Sequence, residues 1–305
     1  MNGLIIKSTG SAFGVRLENG CTVEAHVKGN FRIKGIRSTN PVAVGDRVTV
    51  EQQPDGTNWI TDICDRRNYI IRRSTNLSKQ SHILAANVDQ VALLVTVNHP
   101  KTSTTFIDRF LATCEAYRVP AALIFNKIDL YDEADNEELE YLRLLYGSLD
   151  YPVYCISAPK VGDALSELLR GKTTLLSGNS GVGKSTLLNA LFGKEMTRTG
   201  IISDAHDRGM HTTTFSEMYF LDDNTAVIDT PGIKGFGTFD MQREEVSHYF
   251  KEIFRTSAAC RFGNCKHTNE PGCAVLPAVE NAQIACSRYE SYLSLLGDCE
   301  EGKYR

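Results

Sequence analysis

The stretch Leu175–Gly193, LLSGNSGVGKSTLLNALFG, has the pattern of a buried strand, a glycine-rich loop and the start of a helix. It contains the spacing G-x-x-x-x-G-K-S, which ends at Lys184 and Ser185. Glycines let the backbone N–H groups of such a loop turn towards an anion, and the following helix points its positive end at the same place. The stretch therefore predicts a phosphate-binding loop in an α/β fold. The expected phosphate contacts are Gly178, Asn179, Ser180, Gly181, Val182, Gly183, Lys184, Ser185 and Thr186.

A second motif predicts the metal that accompanies the phosphates. Lys184 is expected to reach the β- and γ-phosphates as a catalytic group, and the Ser185 hydroxyl to hold Mg²⁺. In AVIDTPG, Asp229 ends an apolar strand and is the expected second Mg²⁺ ligand, while the N–H of Gly232 is placed to meet the γ-phosphate. A strand-end aspartate is otherwise a turn or cap residue. The phosphate loop upstream favours the metal role.

A third motif, FNKID, follows the apolar run AALIF and has the pattern of a guanine reader. The Asp129 carboxylate can accept hydrogen bonds from N1–H and the 2-amino group of guanine, whereas adenine would leave it unpaired. At the end of the next strand, the backbone N–H of Ala158 is suited to the 6-oxo group. The predicted base contacts are Asn126, Lys127, Ile128, Asp129, Ser157 and Ala158.

The order of these motifs is unusual, because the base reader precedes the phosphate loop. Each motif nevertheless ends a predicted strand, where ligands bind in α/β sheets, and spatial placement builds such a site whatever the chain order. The chain therefore indicates a circularly permuted GTP-binding domain. The segment after Asp229 then runs into the last part of the chain, and we expect nucleotide state to be conveyed there. Identical C-terminal orientations with GTP and GDP analogues would contradict this.

The polar loop Ser203–Phe215 lies where a first switch is expected. Thr212 or Thr213 is the candidate ligand of Mg²⁺ and contact of the γ-phosphate, and the sequence does not choose between them. Ile233 occupies the position where many GTPases place a water-orienting glutamine. His211 is the candidate substitute in catalysis. The alternative for His211 is an exposed loop histidine.

A cysteine cluster near the C-terminus predicts a metal centre. The spacing C-x4-C-x-H-x5-C brings together three thiolates and one imidazole, which suit a closed tetrahedral zinc site of structural rather than catalytic type. The alternative is a chance cluster of unpaired thiols. The predicted zinc ligands are Cys260, Cys265, His267 and Cys273.

Composition places the chain among ordinary globular proteins. It has 305 residues, 42% apolar and 23% charged, with a net charge of −4. No apolar run approaches a membrane span, and the N-terminus is a poor signal peptide. We therefore expect a cytoplasmic protein with no membrane contact, where nine cysteines favour metal over disulfides.

Three segments follow from the pattern. Residues 1–73 show short alternating runs and predict an OB-type β-barrel, residues 74–238 alternate strands and helices, and residues 239–305 are helical around the cysteines. The fold class is multidomain α/β: barrel, permuted P-loop GTPase domain and helical zinc-binding domain. The first segment is locally basic, which indicates either a solvated surface or a nucleic-acid face with Phe31 for stacking. Its basic residues include Lys28, Arg32, Lys34, Arg37, Arg66, Arg67, Arg72 and Arg73.

The combination of NKID, GNSGVGKST, DTPG and the cysteine module behind a basic barrel closely resembles the RsgA (YjeQ) family of small ribosomal subunit biogenesis GTPases, over essentially the whole chain. The resemblance implies a factor that binds the small subunit late in assembly and promotes or checks maturation near the decoding region. It further implies subunit-stimulated GTP hydrolysis before release, and contacts of barrel and zinc module with 16S-type rRNA. Met210 replaces the arginine of the family's Gly-Arg-His-Thr-Thr, which puts in doubt a role for a basic side chain at that position but not His211 itself.

The preferred interpretation is thus a GTP hydrolase that yields GDP and phosphate, with Mg²⁺ and one structural Zn²⁺, acting as a monomer on the small ribosomal subunit. One alternative is a GTP-dependent regulator of a protein partner without RNA contact. Another is a thiol or metal module in which GTP merely controls zinc. Salt-sensitive binding to small subunits would favour the ribosomal interpretation over the first alternative.

Overall fold

The computed structural model describes residues 1–10, 12–27, 41–73, 81–158, 160, 162–192, 216–230 and 241–301. Its backbone forms a barrel, a central α/β sheet and a helical C-terminal region, in that chain order. The predicted fold class is confirmed by this architecture. None of the helices within these ranges is long and apolar enough to cross a membrane.

Five strands close the N-terminal barrel. They are β1 (Asn2–Ser8), β2 (Phe13–Leu17), β3 (Thr22–Val27), β4 (Arg47–Gln52) and β5 (Asn58–Ile63). The strands pair in the order β1-β2-β3-β5-β4, and β4 returns to pair with β1. Alternate side chains point inward, as the burial of Phe13, Val15 and Leu17 along β2 shows. This closed five-stranded arrangement is the predicted OB-type barrel.

A hairpin and an α/β sheet follow the barrel. The hairpin pairs β6 (Tyr69–Arg73) with β7 (Ser81–Ala86). The sheet strands are β8 (Gln90–Val95), β9 (Ala121–Phe125), β10 (Val153–Cys155), β11 (Thr173–Ser177), β12 (Glu217–Phe220) and β13 (Ala226–Asp229). The helices between them are α1 (Thr104–Ala116), α2 (Glu133–Ser148), α3 (Asp163–Leu169) and α4 (Lys184–Phe192).

The strand order β10-β9-β8-β11-β13-β12 brings the ends of the motif-bearing strands to one edge of the sheet. β8, β9, β10, β11 and β13 are parallel, and β12 is antiparallel to β13. β9, β11 and β13, followed respectively by the base motif, the phosphate loop and Thr230, therefore deliver their ligand groups to the same side. The helices cover both faces, with α1 and α2 packed on one and α3 and α4 on the other.

The barrel and the α/β sheet are one continuous sheet, because β1 pairs antiparallel with β12. Lys7 and Glu217 are opposite each other in this pairing, and their side chains form an ion pair at 3.1 Å. Beside them, the Arg16 guanidinium lies 4.5 Å from the centre of the Phe220 ring. The barrel is therefore attached to β12, which pairs with β13, the strand that ends at Asp229.

The C-terminal region packs on α1. It contains a 3-10 helix (Arg243–Tyr249), α5 (Lys251–Ser257), α6 (Val275–Glu280) and α7 (Cys286–Glu301). Arg288 on α7 is 1% exposed and donates to Asp108 of α1 at 2.8 Å and to Glu252 of α5 at 2.6 Å. Tyr146 of α2 donates to the same Asp108 carboxylate at 2.9 Å. A buried polar network thus joins the helices of the α/β sheet to the last helices.

Candidate functional site

The base motif and the phosphate loop are in direct contact. The Asn126 side chain, 1% exposed, donates to the carbonyl of Val182 at 2.8 Å. The Lys127 ammonium donates to the carbonyls of Gly181 at 2.7 Å and His99 at 2.5 Å. Hydrogen bonds thus hold together two motifs that lie more than 50 residues apart in the chain.

Asp129 is oriented for recognition by its neighbour in the second base loop. The Ser157 hydroxyl donates to the Asp129 carboxylate at 2.5 Å, and the backbone N–H of Asp129 points back at that hydroxyl at 3.3 Å. The N–H of Ala158 is not free, because it donates to the Asn126 side-chain oxygen at 2.8 Å. A guanine 6-oxo group would therefore have to share this donor or displace Asn126 from it. The 3-10 turn Ile128–Leu130 carries Asp129 out of the sheet.

The phosphate loop is shaped so that only glycine fits at two places. Gly178 has φ +149°, and an added Cβ would lie 2.3 Å from the Leu94 carbonyl oxygen. Gly183 has φ +102°, and its Cβ would lie 2.4 Å from the Asn126 amide nitrogen. These contacts explain why the glycines stand at the two ends of the loop, where strand and base motif approach its backbone. Lys184 folds over the loop and donates to the carbonyls of Gly178 and Asn179 at 2.5 and 2.9 Å.

Asp229 has the character of an unsatisfied cation ligand. It is 5% exposed, and one carboxylate oxygen is buried without a hydrogen-bond partner. Burial raises the pKa of Asp229 to about 6, and the nearby Lys184 ammonium opposes this rise. Burial correspondingly lowers the pKa of Lys184, with Asp229 acting in the opposite direction. A buried carboxylate of this kind suits a Mg²⁺ ion bound together with phosphates, because the ion would supply the positive charge that balances the carboxylate.

Several predicted site residues lie outside the described residues. They are His211, Thr212, Thr213 and Gly232, together with Met210 and Ile233. The proposed relay from Asp229 to the C-terminal region also crosses residues 231–240, which are outside the described ranges. Of the predicted basic barrel surface, residues 28–40 and the side chains of Arg72 and Arg73 are likewise not described. Arg66 is described, and it is a buried structural residue that pairs with Asp46 at 2.6 Å.

The four predicted zinc ligands come together. The ligand atoms of Cys260, Cys265, His267 and Cys273 all lie within 4.8 Å of one another. The His267 Nδ1 atom is 3.7 Å from the Cys260 sulfur and 3.6 Å from the Cys273 sulfur. Zinc bonds of about 2.3 Å to sulfur and about 2.0 Å to nitrogen, set at tetrahedral angles, require sulfur–nitrogen separations of about 3.5 Å. The cluster could therefore hold a metal ion, and its spacing fits tetrahedral coordination.

The groups behind the ligands hold this loop in place. Tyr289 and Tyr292 of α7 donate to the carbonyls of His267 at 2.6 Å and Lys266 at 2.7 Å. The Glu270 carboxylate accepts the backbone N–H groups of Lys266 and Thr268, both at 2.9 Å. The loop is thus fixed from two sides, as expected for a structural metal site.

The sequence motifs did not indicate the role of the loop after β8. The His99 carbonyl accepts from Lys127, and the Pro100 ring is the nearest neighbour of an added Cβ on Gly181, at 3.4 Å. This loop therefore supports both nucleotide motifs from a third side. The available signal was its position, since Asn98-His99-Pro100 follows a fully buried parallel strand and so lies at the ligand edge of the sheet.

Family models match most of the chain. A model described as RsgA GTPase matches residues 63–239, and one described as RsgA N-terminal domain matches residues 2–60. Relatives named Small ribosomal subunit biogenesis GTPase RsgA include one from Phocaeicola vulgatus that is 61% identical over 307 residues. Another, from Porphyromonas gingivalis, is 56% identical over 313 residues. Both alignments cover 100% of this chain and 99% of the relative.

Solved structures show the same likeness. YjeQ from Thermotoga maritima is 34% identical, with a TM-score of 0.74 over 98% of each chain. YloQ, described as a circularly permuted GTPase, is 29% identical, with a TM-score of 0.71 over 100% of this chain and 96% of its own. The permuted motif order agrees with the description of YloQ as a circularly permuted GTPase. This chain belongs to the RsgA GTPase family.

Proposed function

We propose that this GTPase acts in biogenesis of the small ribosomal subunit, which it binds late in assembly and leaves after hydrolysing GTP. One observation carries the proposal. The base motif and phosphate loop are hydrogen-bonded to each other, in a chain that matches, from end to end, relatives named for small ribosomal subunit biogenesis. This contact supports GTP as substrate, and the relatives' names support the place of action.

In the proposed site, Asp129 recognises guanine through N1–H and the 2-amino group, held in position by Ser157. Asn126 and Lys127 fix the phosphate loop against the base loop, and the Lys127 stem covers the purine ring. Ala158 donates to the 6-oxo group once the guanine has drawn this N–H from Asn126. These roles are proposed from the contacts that each residue makes. Ile128, between them, contributes its backbone.

Phosphate binding falls to the loop and its lysine. The N–H groups of Gly178–Thr186 face the α- and β-phosphates, and Lys184 exchanges its present carbonyl partners for phosphate oxygens. Mg²⁺, when bound, neutralises charge on the β- and γ-phosphates, and Ser185 and Asp229 would hold it. Thr212 or Thr213 and the N–H of Gly232 complete the γ-phosphate contacts in this proposal. His211 orients the attacking water.

The metal cluster is proposed to hold one structural Zn²⁺. Three thiolates and a histidine favour zinc over hard cations such as Mg²⁺, which prefer oxygen ligands. The ligands lie between α5 and α6 in the chain, and their loop is hydrogen-bonded to α7. The ion would therefore stabilise the C-terminal fold, and four protein ligands would leave no open position for chemistry. Metal analysis of the purified protein tests the identity of the ion.

The chain is proposed to divide into domains at residues 1–73, 74–238 and 239–305, and to act as a cytoplasmic monomer. We propose rRNA contacts for the barrel and for the zinc module. In the module, Phe262 is 42% exposed and the Arg261 guanidinium lies 5.3 Å from its ring centre. An exposed aromatic beside an arginine suits base stacking and phosphate contact.

The decisive experiment measures GTP turnover with and without purified small subunits, with ATP as the competing nucleotide. Turnover that prefers GTP and rises with subunits is the expected result. Failure of subunits to bind or to stimulate the protein in any nucleotide state would overturn the proposal. For His211, the expected result is that His211→Ala retains nucleotide binding and loses the stimulated rate.

A further inference from the structure

The outer face of α2 carries acidic and apolar side chains together. Glu133, Glu137, Tyr141 and Leu144 are all exposed and follow one another at helical spacings of four, four and three residues. Tyr141 is 53% exposed and Leu144 60%. We call these four residues the α2 outer face. Two large side chains that are exposed next to each other suit a contact surface.

The charge of this helix selects the kind of partner. α2 has five acidic residues and one arginine, which is a net charge of −4 within Glu133–Ser148. The whole chain has the same net charge of −4, so the remaining residues sum to zero. α2 is therefore a strongly negative element of the chain. RNA phosphates would be repelled by this face, whereas a lysine- or arginine-rich protein segment would be attracted.

The neighbouring strand β10 has an open backbone edge. β10 is the edge strand of the sheet and, among the described residues, pairs only with β9. α2 contacts β10, so the helix and the strand are neighbours. An open strand edge can accept an extended segment of another chain.

We propose that the α2 outer face binds a basic protein segment of the small ribosomal subunit, with Tyr141 and Leu144 as the apolar contacts and Glu133 and Glu137 as the charge partners. Proteins that bind rRNA carry lysine and arginine to neutralise phosphate, so the protein component of the subunit offers such segments. This inference rests on the proposed function. In this proposal α2 is a negatively charged contact surface, whereas the surfaces proposed to contact RNA are positively charged.

Charge reversal distinguishes protein from RNA at this face by the sign of its effect. Glu133→Lys with Glu137→Lys is expected to weaken binding to purified small subunits by roughly fivefold to tenfold. If the face met RNA, the two added lysines would strengthen binding instead. If the face stayed in solvent, affinity would not change. Either of the last two outcomes overturns the proposal.

The chain offers a matched control on the opposite face of the same sheet. Asp163→Lys with Glu167→Lys makes the same charge change at the first and fifth residues of α3, as the test pair does on α2. This control is expected to bind subunits no more weakly than wild type. Subunit binding reduced equally by both pairs would indicate a general charge effect and overturn the proposal.

The apolar part is tested by Tyr141→Ser with Leu144→Ser, again measured on intact subunits and on protein-free rRNA. The expected result is weaker binding to subunits. Binding to protein-free rRNA, GTP turnover measured without subunits and the melting temperature should all be unchanged. Equal losses on subunits and on protein-free rRNA would place the contact on RNA and contradict the proposal. If wild type bound no subunits, the proposed function would fail as well; if wild type bound and both α2 variants matched it, only the α2 inference would fail.

Discussion

Replacing Arg288 with methionine should destabilise the packing of the C-terminal region on α1 by about 3–5 kcal/mol. Arg288 is 1% exposed and Asp108 is fully buried, so the guanidinium is the partner that compensates a carboxylate out of reach of water. Methionine fills much of the same volume and removes only the charge and the hydrogen bonds. The uncompensated charge at Asp108 is therefore the main source of the expected loss.

The same helix pair contains a more exposed ion pair as a control. Arg109 on α1 pairs with Asp298 on α7, and their side chains are 29% and 51% exposed. Arg109→Met should cost about 0–1 kcal/mol, because water screens this pair. A compensating variant is Asp108→Asn with Arg288→Met, which removes the buried charge and keeps an oxygen to accept from Tyr146. It should recover roughly 1–3 kcal/mol relative to the single Arg288 variant.

Urea unfolding, followed by circular dichroism and by metal release to a chromogenic chelator, measures these differences in free energy. Burial raises the pKa of Asp108, and Arg288 is the largest opposing cause. Without Arg288 the carboxyl protonates more readily in the folded state, so the cost of Arg288→Met should be smaller near about pH 5 than near about pH 8. A cost no greater than that of Arg109→Met, or a double variant no more stable than the single, would refute the reasoning.

Four further predictions concern the nucleotide and metal sites. Gly183→Ala should lower the affinity for a fluorescent GDP analogue roughly tenfold or more through its contact with Asn126, whereas Gly171→Ala, which has φ +68° and open space around an added Cβ, should leave affinity unchanged. Asp129→Asn should weaken GTP binding roughly 100-fold and favour xanthosine triphosphate, whose 2-oxo group can accept from the new amide; unchanged GTP affinity in a competition assay would contradict the base assignment. In protein free of metal and nucleotide, Asp229→Asn should raise the free energy of unfolding at pH 7 by up to roughly 3 kcal/mol, because the folded pKa of Asp229, about 6, exceeds the ordinary 3.8 and ionisation therefore destabilises the folded state. This gain should vanish as pH falls below about 4, where Asp229 is protonated in both the folded and the unfolded state. The same variant should lose Mg²⁺-dependent GTP binding. Chelation of the metal should expose the thiols of Cys260, Cys265 and Cys273 to a thiol reagent and lower the helix content seen by circular dichroism, and unchanged helicity would argue against a structural ion.

Local pattern was sufficient for the central strands. The runs AALIF and TTLLS predict β9 and β11 to the residue, because both strands are paired on two sides and bounded by turns. The run Tyr151–Ser157 overestimates β10, which spans only Val153–Cys155 since an edge strand has one pairing partner. The pairing of β12 (Glu217–Phe220) with the barrel could not be predicted from local pattern, because it joins residues 210 apart in the chain.

The same division holds at the site. Motif chemistry indicated Asn126, Lys127 and the four metal ligands, since each depends on local residue type and spacing. It could not indicate that Ala158 already donates to Asn126, or that Arg66 is buried with Asp46, because both partners are distant in sequence. Such contacts depend on tertiary packing, which no local period reports.

The pairing of β1 with β12 matters for anyone who wishes to study the nucleotide chemistry in isolation. Ser8 donates its backbone N–H to Ser216 at 3.2 Å, and Lys7 meets Glu217 beside it. A fragment that lacked the barrel would leave the rim of β12 bare, and bare rims recruit other copies of the same chain. Oligomers and precipitates of a truncated protein would then reflect the cut rather than any native assembly. A lysine or proline placed along β12 would be the remedy to try first.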